Sequence, residues 1–181
     1  MTVPGEQSLI VSPREYELAV KRILDASAVQ LISYESTHQE LIAGPDGEYV
    51  IDIVARFSVL GAAFVVLVEC KHHKRKVERQ DVQVLHSKLQ SLGGQKGMLF
   101  SVSGFQQGAL EYADAHKIAL VRFASGDTAW FTRSDGPSPP PPPKLIPQYI
   151  GWWRTGDRVC LLSEDHGEYA REALGLETAR P

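Results

Sequence analysis

Cysteine is nearly absent from this sequence. Two residues, Cys70 and Cys160, stand in a chain of 181. That is too few for a disulfide framework, and the spacing suits no zinc site. Such usage points to a reducing cytoplasm. Long apolar runs are missing as well. No window approaches the roughly 18 uninterrupted apolar residues of a membrane span, so none is expected. The opening residues, MTVPGEQSLIVSP, lack the basic start and apolar core of a secretory leader. An excess of positive charge is also missing. Nineteen Lys/Arg face 22 Asp/Glu, a net charge of −3, so composition alone does not advertise a nucleic-acid binder.

What is present is ordinary for a globular protein: 43% hydrophobic and 23% charged residues. The length suits one full domain plus an extension. The charge is unevenly spread. Residues 1–50 hold three Lys/Arg against eight Asp/Glu, and residues 51–100 hold eight against four. A cation-binding pocket beside an anion-facing surface would have this pattern, and so would scattered solvated charge.

Ser12, Pro13 and Glu15 carry the N-cap, first-turn proline and capping-box acid of a helix. Tyr16, Ala19, Val20, Ile23 and Leu24 then recur at helical spacing and define one apolar face. VQLISYESTHQELIA and EYVIDIVARF read as strands joined by the GPDG turn. SVLGA turns the chain into a third strand, AFVVLVECK. A helix is expected over about 78–92, with Val82, Leu85, Leu89 and Leu92 on one face and Gly93-Gly94 as its stop. KGMLFSVSG, FQQGALEYADAHK and IALVRFA continue as strand, helix and strand. The order predicts an α/β fold, a central mixed β-sheet flanked by helices. PSPPPPPK (137–144) reads as a polyproline spacer before a short C-terminal extension. That extension, 145–181, reads as a hairpin and a short helix, packed on the core or on a second subunit.

The third strand ends in Glu69-Cys70-Lys71 and runs into HHKRK. A two-residue turn at Leu60-Gly61 pairs Val59 with Ala62 and sets Asp52 opposite Glu69. Opposed residues share a sheet face, and Lys71 shares it with Glu69. Ile51, Ile53, Val68 and Cys70 are then expected on the other, apolar face. A three-residue loop at Pro45-Asp46-Gly47 would add Glu40 across from Asp52. Two carboxylates in contact repel unless a cation sits between them. A hard divalent ion with oxygen ligands meets that need, and Mg2+ takes one or two carboxylates plus water and phosphate. Lys71 would offset charge developing on a phosphate, and Lys74, Arg75 and Lys76 would meet a phosphate backbone. A simple ion pair at a strand end is the alternative account of Glu69 and Lys71, and a solvated loop that of the basic run. His72 and His73 are adjacent and point apart, which argues against a shared metal.

These residues carry a resemblance. IDIVARF…VVLVECK resembles the D-(x)n-(D/E)-x-K signature of the PD-(D/E)xK nuclease superfamily, with Ile51 in the place of its proline. The chain is similar to Mrr-type restriction endonuclease domains over about 12–124. Tyr16-Glu17 resembles that family's aromatic-Glu pair in the first helix. HQELIAGPDGEYVIDIVARF resembles its first hairpin, and KGMLFSVSGFQQGALEYA its strand-to-helix joint.

The resemblance implies a restriction-endonuclease-like core, with residues 1–136 as the nuclease domain. Asp52 and Glu69, helped by the Cys70 backbone carbonyl, would hold Mg2+ or Mn2+. Lys71 would orient the attacking water, and Glu17 would act through water or steady the lysine. Gln83 matches a glutamine that some relatives carry on the following helix. The implied activity is endonucleolytic hydrolysis of DNA that leaves 5′-phosphate ends. One such site cuts one strand, so a homodimer is expected, with Trp152-Trp153 as its candidate interface. The alternatives are a nuclease-fold module that binds or senses DNA without robust cleavage, and a structure-selective nuclease of the junction-resolvase type.

Overall fold

Helix α1, Pro13–Ser27, begins as its sequence dictates. The Ser12 hydroxyl accepts from the Glu15 backbone N–H, and the Glu15 carboxylate accepts from the Ser12 N–H. This reciprocal capping satisfies two amides that the first helical turn leaves without partners. The computed structural model describes residues 12–28, 31–125, 149–155 and 158–163.

After α1 come β1 (Ile32–Gly44), β2 (Gly47–Val59) and β3 (Ala62–Lys71), then α2 (Arg79–Ser91) and β4 (Lys96–Ser101). They are followed by α3 (Gln107–Ala115), β5 (Ala119–Ser125), β6 (Tyr149–Thr155) and β7 (Arg158–Leu162). The strands form one sheet in the order β1-β2-β3-β4-β5-β6-β7. The β1–β2–β3 meander is antiparallel, whereas β3–β4 and β4–β5 are parallel. Each parallel step needs a crossover, and α2 and α3 supply them. The fold is therefore the expected α/β type with a mixed central sheet.

Two apolar layers fix the helices on opposite faces. Tyr16, Val20 and Ile23 of α1 pack against Ile53, Ala55, Val68, Phe100 and Val121. Val82, Leu85 and Ala109 of α2 and α3 pack against Ile51, Val54, Leu67, Leu99 and Leu120. Each large side chain removed from water contributes about 1.5–3 kcal/mol.

The β2–β3 turn is the two-residue turn expected. Val59 pairs with Ala62, and Leu60 and Gly61 both have positive φ, 51° and 80°. The β1–β2 turn differs from expectation. Gly44 pairs with Gly47, so the loop is Pro45-Asp46 rather than three residues. Proline at the first central position with glycine just beyond the second is what the commonest tight turn favours. One residue of register follows from that difference, and Glu40 lies opposite Ile51, not Asp52.

The extension adds two strands. β6 pairs antiparallel with β5, and β7 with β6, so the expected hairpin lies on the edge of the main sheet. Trp152 and Trp153 stand in β6, beside Arg122 and Val121 in the register. Their side chains, the proline spacer and the expected C-terminal helix lie outside the described residues. Among the described residues, no helix is long and apolar enough to cross a membrane.

Candidate active site

Strict alternation along β2 would place Ile51 and Ile53 on one face. Instead Ile53 packs on the α1 side and Ile51 on the α2 side. Asp52 sits at the residue where the strand changes face. Across from it on β1, Gln39 has a φ of 51°, outside the strand region. The β2–β3 ladder stops at the Ile53–Val68 pair. Asp52 is thus freed from a sheet face and reaches toward β3, where its Oδ2 accepts from the Cys70 N–H at 2.7 Å. The expected meeting of Asp52 with the end of β3 is present, but through this strand irregularity. The expectation that Ile51 shares the face of Ile53 and Cys70 fails for the same reason.

Glu69 is buried at 6% exposure and lies on the α2 side of β3. Two lysines reach it. Lys88 Nζ of α2 donates to Oε1 at 2.6 Å, while Lys71 Nζ lies 3.5 Å from Oε2. Lys88 also donates to the Val50 carbonyl at 3.3 Å. Lys88 was not among the expected site residues. The signal was available: it stands three residues after Leu85 and four before Leu92, on the apolar stripe of α2, where a lysine is out of place.

Glu17 approaches from α1. Its carboxylate is 2.7 Å from His38 Nε2 and accepts from Gln39 Nε2 at 3.1 Å. Beside it, Tyr16 is fully buried between His72 and Phe123, with ring centroids 5.3 and 5.0 Å away. The Tyr16 hydroxyl finds no hydrogen-bond partner among the described residues. Burial pushes its pKa well up, and charge at Cys70 and Asp52 adds to the rise.

Burial also raises the Asp52 carboxyl above its ordinary value. The Cys70 N–H opposes that rise, and the Glu69 and Glu17 carboxylates add to it. The Cys70 thiol is pushed well up, first by burial and then by Asp52, Glu17 and Glu69, which disfavours a thiolate there. Of these three acids, Glu69 alone pairs with lysine among the described residues, with Lys71 and Lys88. Among the described residues, no lysine or arginine forms an ion pair with Asp52, and no three His, Cys, Asp or Glu side chains form a metal cluster. A Mg2+ site needs no such cluster. Two carboxylates completed by carbonyl, water and phosphate oxygens suffice, and Asp52 with Glu69 fits that donor set.

The remaining expected residues fall elsewhere. Glu40 is held by Arg56 in a two-pronged ion pair at 2.8 and 2.5 Å. Gln83 is exposed on the first turns of α2. Of the basic run, Lys74 and Lys76 are exposed, but Arg75 is clasped by Asp81 at 2.8 and 3.0 Å. The run itself is pinned to the β4–α3 joint. Val77 N–H donates to Gly104 O at 3.0 Å, Gln106 N–H donates to Val77 O at 2.9 Å, and the Ser103 hydroxyl donates to the His73 carbonyl.

An Asp on one strand, Glu-x-Lys on the next and a helix-borne Glu are thus gathered at one end of the sheet. Residues 9–125 match the Mrr_cat family, described as restriction endonuclease. The chain belongs to the Mrr_cat restriction endonuclease family. It carries a restriction-endonuclease-like domain, with β6 and β7 lying beyond the matched residues. No curated protein matches the sequence. Among solved structures, a crystal structure of a protein of unknown function, AF1548, is similar at 17% identity and a TM-score of 0.47. The similarity covers 59% of this chain and 55% of that one. The chain thus spans about half the length of that relative.

Proposed function

We propose that this Mrr_cat domain is a DNA endonuclease dependent on Mg2+, with Mn2+ as a substitute, working at Asp52, Glu69 and Lys71. One observation carries the reading: Asp52 stands in β2 where the ladder with β3 has ended, and it accepts from the N–H of Cys70, the residue between Glu69 and Lys71. Burial and the two neighbouring carboxylates disfavour the Asp52 charge, and the Cys70 N–H and Lys71 only partly offset them, which is a net cost for a purely structural aspartate.

Asp52, Glu69 and the Cys70 carbonyl would hold the cation. When bound, the cation would polarise the scissile phosphate and lower the pKa of a water molecule. Lys71 would orient the attacking water and offset charge developing on the phosphate oxygens. Attack on phosphorus in line with the P–O3′ bond breaks that bond and leaves a 5′-phosphate and a 3′-hydroxyl. Glu17, steadied by His38 and Gln39, would act on the same water or on Lys71. Lys74 and Lys76 would take neighbouring phosphates. Cutting both strands calls for two such sites, so the working form we propose is a homodimer. A cytoplasmic role in restriction or defence is the setting that suits this family.

The test is incubation of supercoiled plasmid with Mg2+, with Mn2+ and with chelator, followed by labelling of the product ends. Nicked or linear DNA with 5′-phosphate ends, absent under chelator, is the expected result. Cleavage that survives chelation would overturn the cation requirement. DNA that is bound but never cut would point to a binding module on the nuclease fold.

A further inference from the structure

Glu69 is a buried carboxylate with two lysines in reach, and they are not equivalent. Lys88 sits at 2.6 Å and Lys71 at 3.5 Å. The Lys88 side chain is itself 20% exposed, against 27% for Lys71. Its stem leaves the apolar stripe of α2, so its ammonium has few directions to take. It also donates to the Val50 carbonyl, two residues before Asp52. The β2–β3 ladder ends at Ile53 and Val68, so Lys88 bridges the two strands where the ladder has stopped.

A buried carboxylate needs a compensating charge. Were Lys71 the sole candidate, Glu69 would capture it, and its ammonium would not be available to water or phosphate. The shorter Lys88 contact removes that demand.

We propose that Lys88 is the resident counter-ion of Glu69: it holds that carboxylate at 2.6 Å while no divalent cation is bound, and so leaves Lys71 in the longer, 3.5 Å contact from which its ammonium can turn to the reaction. The proposal rests on the metal-site reading of Asp52 and Glu69 given above. Lys88 is a positioning residue, because it acts through Glu69. A bound cation takes over part of the same charge compensation, so cation and Lys88 are partly redundant for stability.

That redundancy has a readout independent of cleavage. Thermal unfolding of the full chain is followed without DNA at increasing Mg2+, for the wild type, Lys88→Met and Lys88→Arg. Without Mg2+, Lys88→Met should melt about 5–10 °C below the wild type, as loss of one partner leaves a buried charge uncompensated. Mg2+ should then raise the Tm of Lys88→Met by more than it raises that of the wild type, closing most of the gap. Lys88→Arg keeps the charge and should follow the wild type. Where Lys88→Met does not fold, Lys88→Gln, which retains a donor without charge, should show the same direction.

Equal Mg2+ shifts in wild type and variant would reduce Lys88 to a packing role and overturn the proposal. A wild-type Tm that Mg2+ does not move would overturn the metal site itself, and the Lys88 role with it. A shift in the wild type without enhancement in the variant sinks the Lys88 role alone.

Discussion

Asp52 Oδ2 and the backbone nitrogen of Cys70 lie 2.7 Å apart, across the gap where β2 parts from β3. The bond draws a carboxylate into a half-buried site that already contains Glu69 and Glu17. Folding thus places a charge where burial and its neighbours oppose it. The consequences are measurable in stability as well as in cleavage.

Asp52→Asn should separate the two. Asparagine still accepts from the Cys70 N–H but carries no charge. Without divalent cations the variant should melt above the wild type at neutral pH. The folded Asp52 pKa is raised from its ordinary 3.8. The cost of ionising it in the folded state is therefore absent below 3.8 and grows as pH rises through the raised value. The gain in Tm should accordingly vanish toward pH 3.8 and widen toward pH 7. Cleavage should fall by about 10²–10³-fold or more. Melting curves across pH, paired with a plasmid assay, check both.

The ion pair of Glu40 with Arg56 belongs to stability, not to the site. Arg56 holds the Glu40 carboxyl below its ordinary 4.5, chiefly by hydrogen bonding. The stabilisation is present above 4.5 and is lost as pH falls through the lowered value. Glu40→Gln should cost about 1 kcal/mol at pH 7, since the pair is part-exposed, and less in acid. Its cleavage rate should match the wild type. Chemical denaturation at pH 7 and at pH 3.5, with a plasmid assay at pH 7, measures this.

Much of this was legible in the sequence, and the rest depends on tertiary geometry that residue type does not record. The capping of α1, the Leu60-Gly61 turn and the alternation of apolar faces in α1 and α2 follow from local rules. Those rules bring Asp52, Glu69 and Lys71 to one end of the sheet. Parity fails at Gln39 and Asp52, because a strand irregularity leaves no trace in residue type. Glu40 was misplaced by a single residue of turn length, which turns a strand residue to the other face. Lys88 was missed although it broke the apolar stripe of α2. A polar residue on an otherwise apolar helix face signals a tertiary partner, and which partner it meets depends on how α2 packs on the sheet.

Lys74 and Lys76 should carry phosphate contacts that Arg75, already clasped by Asp81, does not. Replacing either lysine with alanine should weaken DNA binding at all sequences alike. Each should lower the steepness of the log affinity–log salt plot by about 1. Arg75→Ala should leave that slope unchanged and lower the Tm instead. Fluorescence anisotropy with a labelled duplex over a range of salt concentrations, in chelator, reads the slopes.

Leu60 is fully exposed and sits at a φ of 51° in the β2–β3 turn. A leucine gains nothing there, and the left-handed region favours asparagine before glycine. Leu60→Asn should stabilise the protein by about 0.5–1 kcal/mol, with cleavage unchanged. Thermal unfolding monitored by circular dichroism would detect the rise.

The proposed chemistry depends on Asp52 and Lys71. Its most direct test is plasmid cleavage in Mg2+ or Mn2+ by the wild type beside Asp52→Ala and Lys71→Ala. The wild type should convert supercoiled DNA to nicked and linear forms, and both variants, folded by circular dichroism, should leave it supercoiled. Wild-type rates in both variants would contradict the account.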